Sequence, residues 1–278
     1  METSGPGITR VARMDILARN NVTVQGPEGA QPMVFAHGFG CDQHMWRYVA
    51  PHFSDRYRVV LFDYVGCGGS DDSAWDPDRY ASLQGYAADV LDLVRELDLH
   101  DVVFVGHSVS SMIGALAQVA RPDLFATLVM VGPSPRYTDH DGYVGGFSEA
   151  DIDELLATMD NNYLGWSRAM APAIMANADR PELGAELEES FCRSDPALAR
   201  SFAEVTFRSD NRADLERVSV PTLVLQCSED IIAPASAGSY VHEHLPDSQF
   251  VQLAAVGHCP HLSAPEETTA AIEDFLRA

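Results

Sequence analysis

Asp101-Val102-Val103-Phe104-Val105-Gly106-His107-Ser108-Val109-Ser110-Ser111-Met112-Ile113-Gly114-Ala115-Leu116-Ala117 reads as a β-branched strand, a tight turn with serine at its apex, and a helix. A serine in that setting is pushed out of the turn. Its hydroxyl stands exposed at the carboxyl end of a strand and at a helix N-terminus. Gly106-His107-Ser108-Val109-Ser110 thus has the form of a nucleophile elbow, with Ser110 where a glycine is usual. That fifth position must be small so that helix and strand pack closely, and serine nearly meets the need. The plainer alternative is a serine that only caps a helix on an α/β turn. The features downstream decide against it.

Outward from the elbow, the first half of the chain alternates strand-like and helix-like segments. Met33 to Ala36, Val59 to Phe62, Val102 to Val105 and Leu128 to Val131 are short, nearly continuous apolar runs. Such runs belong to parallel strands covered on both faces. Leu83, Tyr86, Ala87, Val90, Leu91, Val94 and Leu97 are spaced as one face of a helix. The helix after the elbow should stop near Arg121-Pro122. Strand and helix in alternation predict an α/β fold with a mostly parallel, doubly wound sheet.

The pattern changes after Gly132-Pro133-Ser134-Pro135. From Ser148 to Ser209 there are four helix-length blocks and no convincing strand: Ser148 to Asp160, Tyr163 to Ala176, Pro181 to Cys192 and Pro196 to Arg208. Pro181 and Pro196 sit where first-turn prolines belong. The α/β rhythm returns with Thr222 to Gln226 and Gln249 to Leu253, and a helix from Pro265 to Leu276 closes the chain. The expected division is therefore a loose tail over 1–15, a core made of 16–147 and 210–278, and a helical lid inserted at 148–209.

Composition narrows the function classes. The 278 residues are 46% hydrophobic, enough for a full core, and no apolar run reaches the roughly 18 residues a membrane span needs. A net charge of −23, from 18 basic and 41 acidic residues, repels phosphate backbones and anionic lipid. Neither nucleic acid nor membrane is expected as a partner. The start, Met1-Glu2-Thr3-Ser4-Gly5-Pro6-Gly7, has no basic region and no apolar segment, and Met14 is an alternative start. Cys41, Cys67, Cys192, Cys227 and Cys259 have no paired spacing and read as buried, reduced thiols. A cytoplasmic location is the expectation.

A serine hydroxyl is a weak nucleophile near neutral pH and needs a base, with a carboxylate to orient that base. In a fold with this elbow the order is serine, acid, histidine, each after a late strand. The strand Thr222 to Gln226 runs into Cys227-Ser228-Glu229-Asp230-Ile231-Ile232, and Gln249 to Leu253 runs into Val256-Gly257-His258-Cys259-Pro260-His261. Ser108, Asp230 and His258 are therefore the candidate nucleophile, orienting acid and base. Glu229 and His261 are the rivals. Asp230, followed by two isoleucines, reads as a residue turned inward, and Gly257 frees the backbone to aim His258. His107 flanks the apex and should point beneath it. His258-Cys259-Pro260-His261 lacks the second ligand pair of a zinc site, so no metal or cofactor is expected.

His37-Gly38-Phe39-Gly40 follows the first predicted strand, where the first amide of an oxyanion hole belongs. The donors would be the N–H groups of Phe39 and Val109. Phe39, Phe147, Trp166 and Phe207 are the candidate walls of an apolar substrate pocket. Asp63-Tyr64-Val65-Gly66-Cys67-Gly68-Gly69-Ser70 lacks both the lysine of a phosphate loop and dinucleotide-site spacing, and reads as a structural turn.

With these residues assembled, the chain resembles the α/β-hydrolase superfamily. More narrowly it resembles the bacterial RsbQ-type hydrolases and the related plant karrikin and strigolactone receptors. The strings that carry this are His37-Gly38-Phe39-Gly40-Cys41-Asp42-Gln43, Phe62-Asp63-Tyr64-Val65-Gly66, Gly106 to Ser110, Gly132-Pro133-Ser134-Pro135 and Gly257-His258-Cys259-Pro260-His261-Leu262. The resemblance runs from about Ile16 to the C-terminus. It implies a Ser108-Asp230-His258 triad, a four-helix V-shaped lid and an apolar pocket beneath it. It also implies one of two roles. One is hydrolysis of a small hydrophobic ester or lactone through an acyl-enzyme. The other is ligand sensing with slow turnover, which in the bacterial members acts upstream of a stress-signalling phosphatase partner.

Overall fold

The computed structural model describes residues 15–277. In chain order the elements are α1 (Ile16–Arg19), β1 (Thr23–Gln25), β2 (Pro32–Ala36), β3 (Arg58–Leu61), α2 (Leu83–Glu96), β4 (Val102–His107), α3 (Val109–Ala120) and β5 (Phe125–Val131). Then come α4 (Glu149–Met175), α5 (Pro181–Arg193), α6 (Pro196–Phe207), α7 (Arg212–Leu215), β6 (Thr222–Glu229), α8 (Ala235–His244), β7 (Ser248–Val256), α9 (Pro260–Ser263) and α10 (Pro265–Arg277). The expected tail over 1–15 lies outside the described residues except for Asp15. That residue belongs to the folded part, because its carboxylate caps α1 by accepting from the Leu17 and Ala18 N–H groups.

Seven strands form one sheet in the order β1-β3-β2-β4-β5-β6-β7. All neighbours are parallel except β1 with β3. The sequence reading did not anticipate β1, whose three residues are all exposed and carry no apolar pattern. The continuous apolar runs fill the middle of the sheet, where β2 and β4 are buried along their whole length. Because side chains alternate across a strand, the runs divide between two cores. Val34, Ala36 and Phe104 pack with α2 and α3 on one face, while Met33, Phe35, Val103 and Val105 pack with Trp46, Phe53 and Ile272 on the other. Each fully buried Val, Leu or Phe there contributes roughly 1.5–3 kcal/mol.

Along α2 the face is Leu83, Tyr86, Ala87, Val90, Leu93 and Val94, with Leu91 and Leu97 only half-buried. Asp89 is buried on the same helix, where Arg19, Arg79 and the Tyr80 hydroxyl meet its carboxylate. Helix α3 ends at Ala120, just before Arg121-Pro122.

Between β5 and β6 the chain is helical. Ser148 and Asp151 cap α4 reciprocally, and α4 breaks at Asn162, whose backbone is not helical, so four straight pieces run from 149 to 207. Their apolar faces meet around Leu156, Trp166, Leu187, Phe191 and Phe207, in a cluster that also takes in Cys41, Met45, Ile232, Cys259 and Leu262 from the core. The segments 132–148 and 208–221 join them to the sheet. There the Asn211 N–H donates to the Pro135 carbonyl at 2.7 Å, and Arg136 pairs with Asp210 at 2.9 Å. Among the described residues no helix is long and apolar enough to cross a membrane. All five cysteines are free. Cys192 differs from the sequence reading in being exposed, since it falls on the outer side of α5.

Candidate active site

β4 runs at the centre of the sheet and ends on His107, so Ser108 occupies the turn before α3. The turn is strained: Ser108 has φ 57° and ψ −124°, a region sparsely populated by residues with a side chain. Its N–H donates to the Val131 carbonyl at 2.8 Å, which anchors the apex to the neighbouring strand. Gly106 makes the tight turn possible, because a Cβ there would lie 2.5 Å from the Ser110 carbonyl oxygen.

The ends of β6 and β7 bring two further side chains to this hydroxyl. His258 Nε2 lies 2.7 Å from Ser108 Oγ, and His258 Nδ1 lies 2.7 Å from Asp230 Oδ2. A neutral imidazole serves both contacts in one tautomer: Nδ1–H donates to the carboxylate and Nε2 accepts the serine hydroxyl proton. The other Asp230 oxygen accepts the N–H groups of Ile232 at 2.8 Å and Ala233 at 3.0 Å. Its carboxylate is fully buried, whereas Glu229 is exposed and turned away.

The neighbouring histidines have other places. His107 Nε2–H donates to the His258 carbonyl at 2.8 Å. Burial, reinforced by His261 and His258, holds the His107 imidazole well below its ordinary pKa. His261 is fully buried, with its ring 4.6 Å from that of Trp46 and 4.4 Å from that of His107. Burial pushes its pKa down to about 3, and neither of its ring nitrogens hydrogen-bonds Ser108 or any other group among the described residues. Among the described residues no group of three or more His, Cys, Asp or Glu side chains is placed to hold a metal ion.

The loop after β2 lies against the elbow: a Cβ on Gly38 would stand 3.1 Å from Ser108 Cβ. The Cys41 N–H donates to the Gly38 carbonyl and closes the turn that carries Phe39. Val109 opens α3, so its N–H is among the donors a helix leaves unpaired. Ser110 links these two parts. Its hydroxyl donates to the His37 carbonyl at 2.5 Å and receives the Tyr64 hydroxyl at 2.9 Å, bonds a glycine could not make. The Asp63 turn is structural, as expected. Its carboxylate accepts the N–H groups of Gln43 and Gly69 and the amide of Asn21.

Above Ser108 is a cavity of about 30 Å³, room for some two waters, with Phe39, Tyr137, Leu187, Phe191, Phe207 and Ile232 among its walls. Two of the four aromatics named from sequence, Phe39 and Phe207, thus reach it. Phe147 and Trp166 do not. They line a second cleft of about 510 Å³ beside Asn162, because Phe191 and Phe207 fill the space in front of them. Trp166 backs the Phe39 ring at 6.2 Å. A larger groove of about 580 Å³ between Trp75, Tyr80, Glu204 and Arg208 holds no nucleophile and base in contact.

Sequence reasoning missed Leu187, Phe191 and Tyr137. The first two follow Leu183 at helical spacing on α5 and were legible as a face, but not as a wall of this cavity. Tyr137 lies in irregular chain, and no local pattern marks it. Its hydroxyl is buried beside Ser108, and burial raises its pKa well above the usual range.

A sequence model of the alpha/beta hydrolase family matches residues 33–272. The chain is 39% identical to the karrikin insensitive 2 receptor CA of Petunia hybrida over 89% of its own length and 92% of that protein. It is 38% identical to the strigolactone esterase D14 of Arabidopsis thaliana, over 96% of this chain and 98% of the relative. Among solved structures, a hydrolase from Oleispira antarctica superposes with a TM-score of 0.91 at 41% identity, covering 95% of this chain and 96% of that one.

Proposed function

Given that the chain belongs to the alpha/beta hydrolase family, we propose that it is a serine hydrolase that cleaves a small hydrophobic ester or lactone through an acyl-enzyme. The observation that carries this reading is the line of contacts from Asp230 through His258 to Ser108, at 2.7 Å each, on the floor of an apolar cavity. In the proposed reaction Ser108 Oγ attacks the carbonyl carbon while His258 Nε2 takes the hydroxyl proton. Asp230 keeps the ring in that tautomer and faces the imidazolium that forms. The Phe39 and Val109 N–H groups receive the developing oxyanion. His258 then protonates the leaving alkoxide, and a water activated by the same ring releases the acid. Ile174, Leu187, Phe191 and Phe207 come from the helical segment over the site, which acts as the lid. The largely apolar lining favours an uncharged acyl group, since a charge would be desolvated there without a partner, and at about 30 Å³ the chamber must open as substrate enters.

Ser108→Ala should lower hydrolysis of p-nitrophenyl acetate by up to the order of 10⁶-fold and abolish labelling by a fluorophosphonate, with the thermal melt retained. A Ser108→Ala protein that kept most of its activity would overturn the reading. The similarity to plant proteins named both receptor and esterase favours a second reading, a ligand sensor with slow turnover. A product burst equal to the enzyme concentration followed by little turnover would select the sensor. Sustained turnover would select the plain hydrolase.

A further inference from the structure

The loop that carries His258 is fastened to the end of the lid rather than only to the core. The His258 N–H donates to the carbonyl of Ile174, in the last turn of α4, at 2.8 Å. Its own carbonyl accepts from His107 of the elbow, also at 2.8 Å. One residue is therefore held from the lid on one side and from the sheet on the other, with its imidazole between. Gly257 permits this approach. Its φ is 84°, and a Cβ there would stand 2.1 Å from the Met175 carbonyl oxygen.

Asn177, two residues past the end of α4, closes the seam. Its Nδ2 donates both to the Met175 carbonyl on the lid and, at 3.2 Å, to the Val256 carbonyl at the end of β7. Its Oδ1 accepts from Arg180, whose other nitrogen donates to the Ser263 carbonyl at 2.8 Å. Two carbonyls on one side and a guanidinium on the other leave a single orientation of the amide that satisfies every group. The side chain is half-buried and is not part of the cavity lining.

From this juxtaposition we propose that Asn177 is a positioning residue for His258, so that alignment of the base depends on the position of the α4 C-terminus. The proposal rests on the reading of Ser108 and His258 given above. With Asn177 bridging Met175 and Val256, the Ile174 carbonyl stays within reach of the His258 N–H and the imidazole stays in line with Ser108. A shift of α4 breaks that bond and turns the base out of line, so hydrolysis is complete only when the lid is seated. Displacements of about 1 Å at a reacting group cost on the order of 10²-fold in rate, so one lost bridge is enough to register.

Asn177→Asp tests this, because it keeps the shape and the acceptor toward Arg180 while removing both N–H donors. The readouts are the rate of Ser108 labelling by a fluorophosphonate, kcat and KM for p-nitrophenyl acetate, and amide exchange at His258. The expected result is a fall of roughly 10- to 100-fold in labelling rate and kcat, KM within about twofold of the parent, and faster exchange of the His258 amide. Labelling and kcat equal to the parent, or a loss carried by KM alone, overturns the proposal. If Asn177→Asp does not fold, Arg180→Met removes the other half of the seam and should lower kcat about threefold or more at unchanged KM; an unchanged kcat counts against it. His258→Ala run alongside separates the two levels. If it labels as fast as the parent, the reading of His258 as base falls. If it is silent while Asn177→Asp labels normally, only the positioning role falls.

Discussion

Ser110 is the residue where this chain departs from the usual elbow, and its hydroxyl has a specific task. It joins the His37 carbonyl, on the loop that carries Phe39, to the Tyr64 hydroxyl across the front of α3. Ser110→Gly restores the usual small residue but leaves both buried partners unpaired, at a cost of about 1–3 kcal/mol. We expect the melting temperature to fall by several degrees. The loop of the Phe39 amide, the proposed oxyanion donor, loses a support; removing such a donor outright costs about 10²–10³ in kcat, so loosening one should cost roughly 10-fold. Steady-state kinetics with p-nitrophenyl acetate check this; an unchanged kcat would mean that the loop holds its place without Ser110. The motif was legible in the sequence. The purpose of its fifth residue was not, because the partners are 73 and 46 positions away.

At the scale of elements, the segments with a clear apolar period were read from sequence, whereas the strand β1 and the ten-residue helix α8 between β6 and β7 were not anticipated. Helices with a continuous apolar face, such as α2 and α5, state their buried side directly, whereas β1 is three exposed residues held by pairing to β3. The helical segment α4–α6 meets the core through side-chain packing and a few hydrogen bonds rather than through strand pairing, so it is able to shift without unfolding the sheet. For a ligand to move it, the ligand must bind one arrangement better than another. A phosphonate fixed on Ser108 would occupy the cavity walled by Leu187, Phe191 and Phe207. It should slow amide exchange in α5 and α6 more than in β4 and β5. Mass-spectrometric exchange of modified and unmodified protein measures this, and equal protection in both places would remove the basis for signalling through the lid.

For the whole molecule, pH acts through the buried histidines beside the site. His261 has a folded-state pKa near 3 and an unfolded value near 6.5. Below pH 6.5 the unfolded chain binds a proton that the folded chain refuses, so stability is full above 6.5 and falls as pH drops toward 3. His107 is displaced in the same direction. The slope is on the order of 1 kcal/mol per pH unit for each such ring. His261→Phe keeps a ring against Trp46 and removes one of the two protons. Urea unfolding at pH 7 and pH 5 should then show a pH dependence reduced by about one proton, and an unreduced slope would place the effect elsewhere. The charge of −23 acts at this scale too, by repelling polyanions whatever the fold.

By itself the sequence determined the alternation of strands and helices, the parallel sheet, the helical insertion, and the three side chains that the sheet brings together. Periodicity and turn chemistry are local, and the carboxyl ends of parallel strands converge by construction. Only the tertiary structure decided which aromatics reach the cavity, since Phe191 and Phe207 displace Phe147 and Trp166 through packing between helices distant in sequence. It alone decided that the Tyr137 hydroxyl is buried beside Ser108, and that Asn177 and Ile174 hold the loop of His258. Those are contacts between chain segments with no shared period. They exist because the sheet fixes where each loop ends, and close packing then selects which side chains fill the space between them.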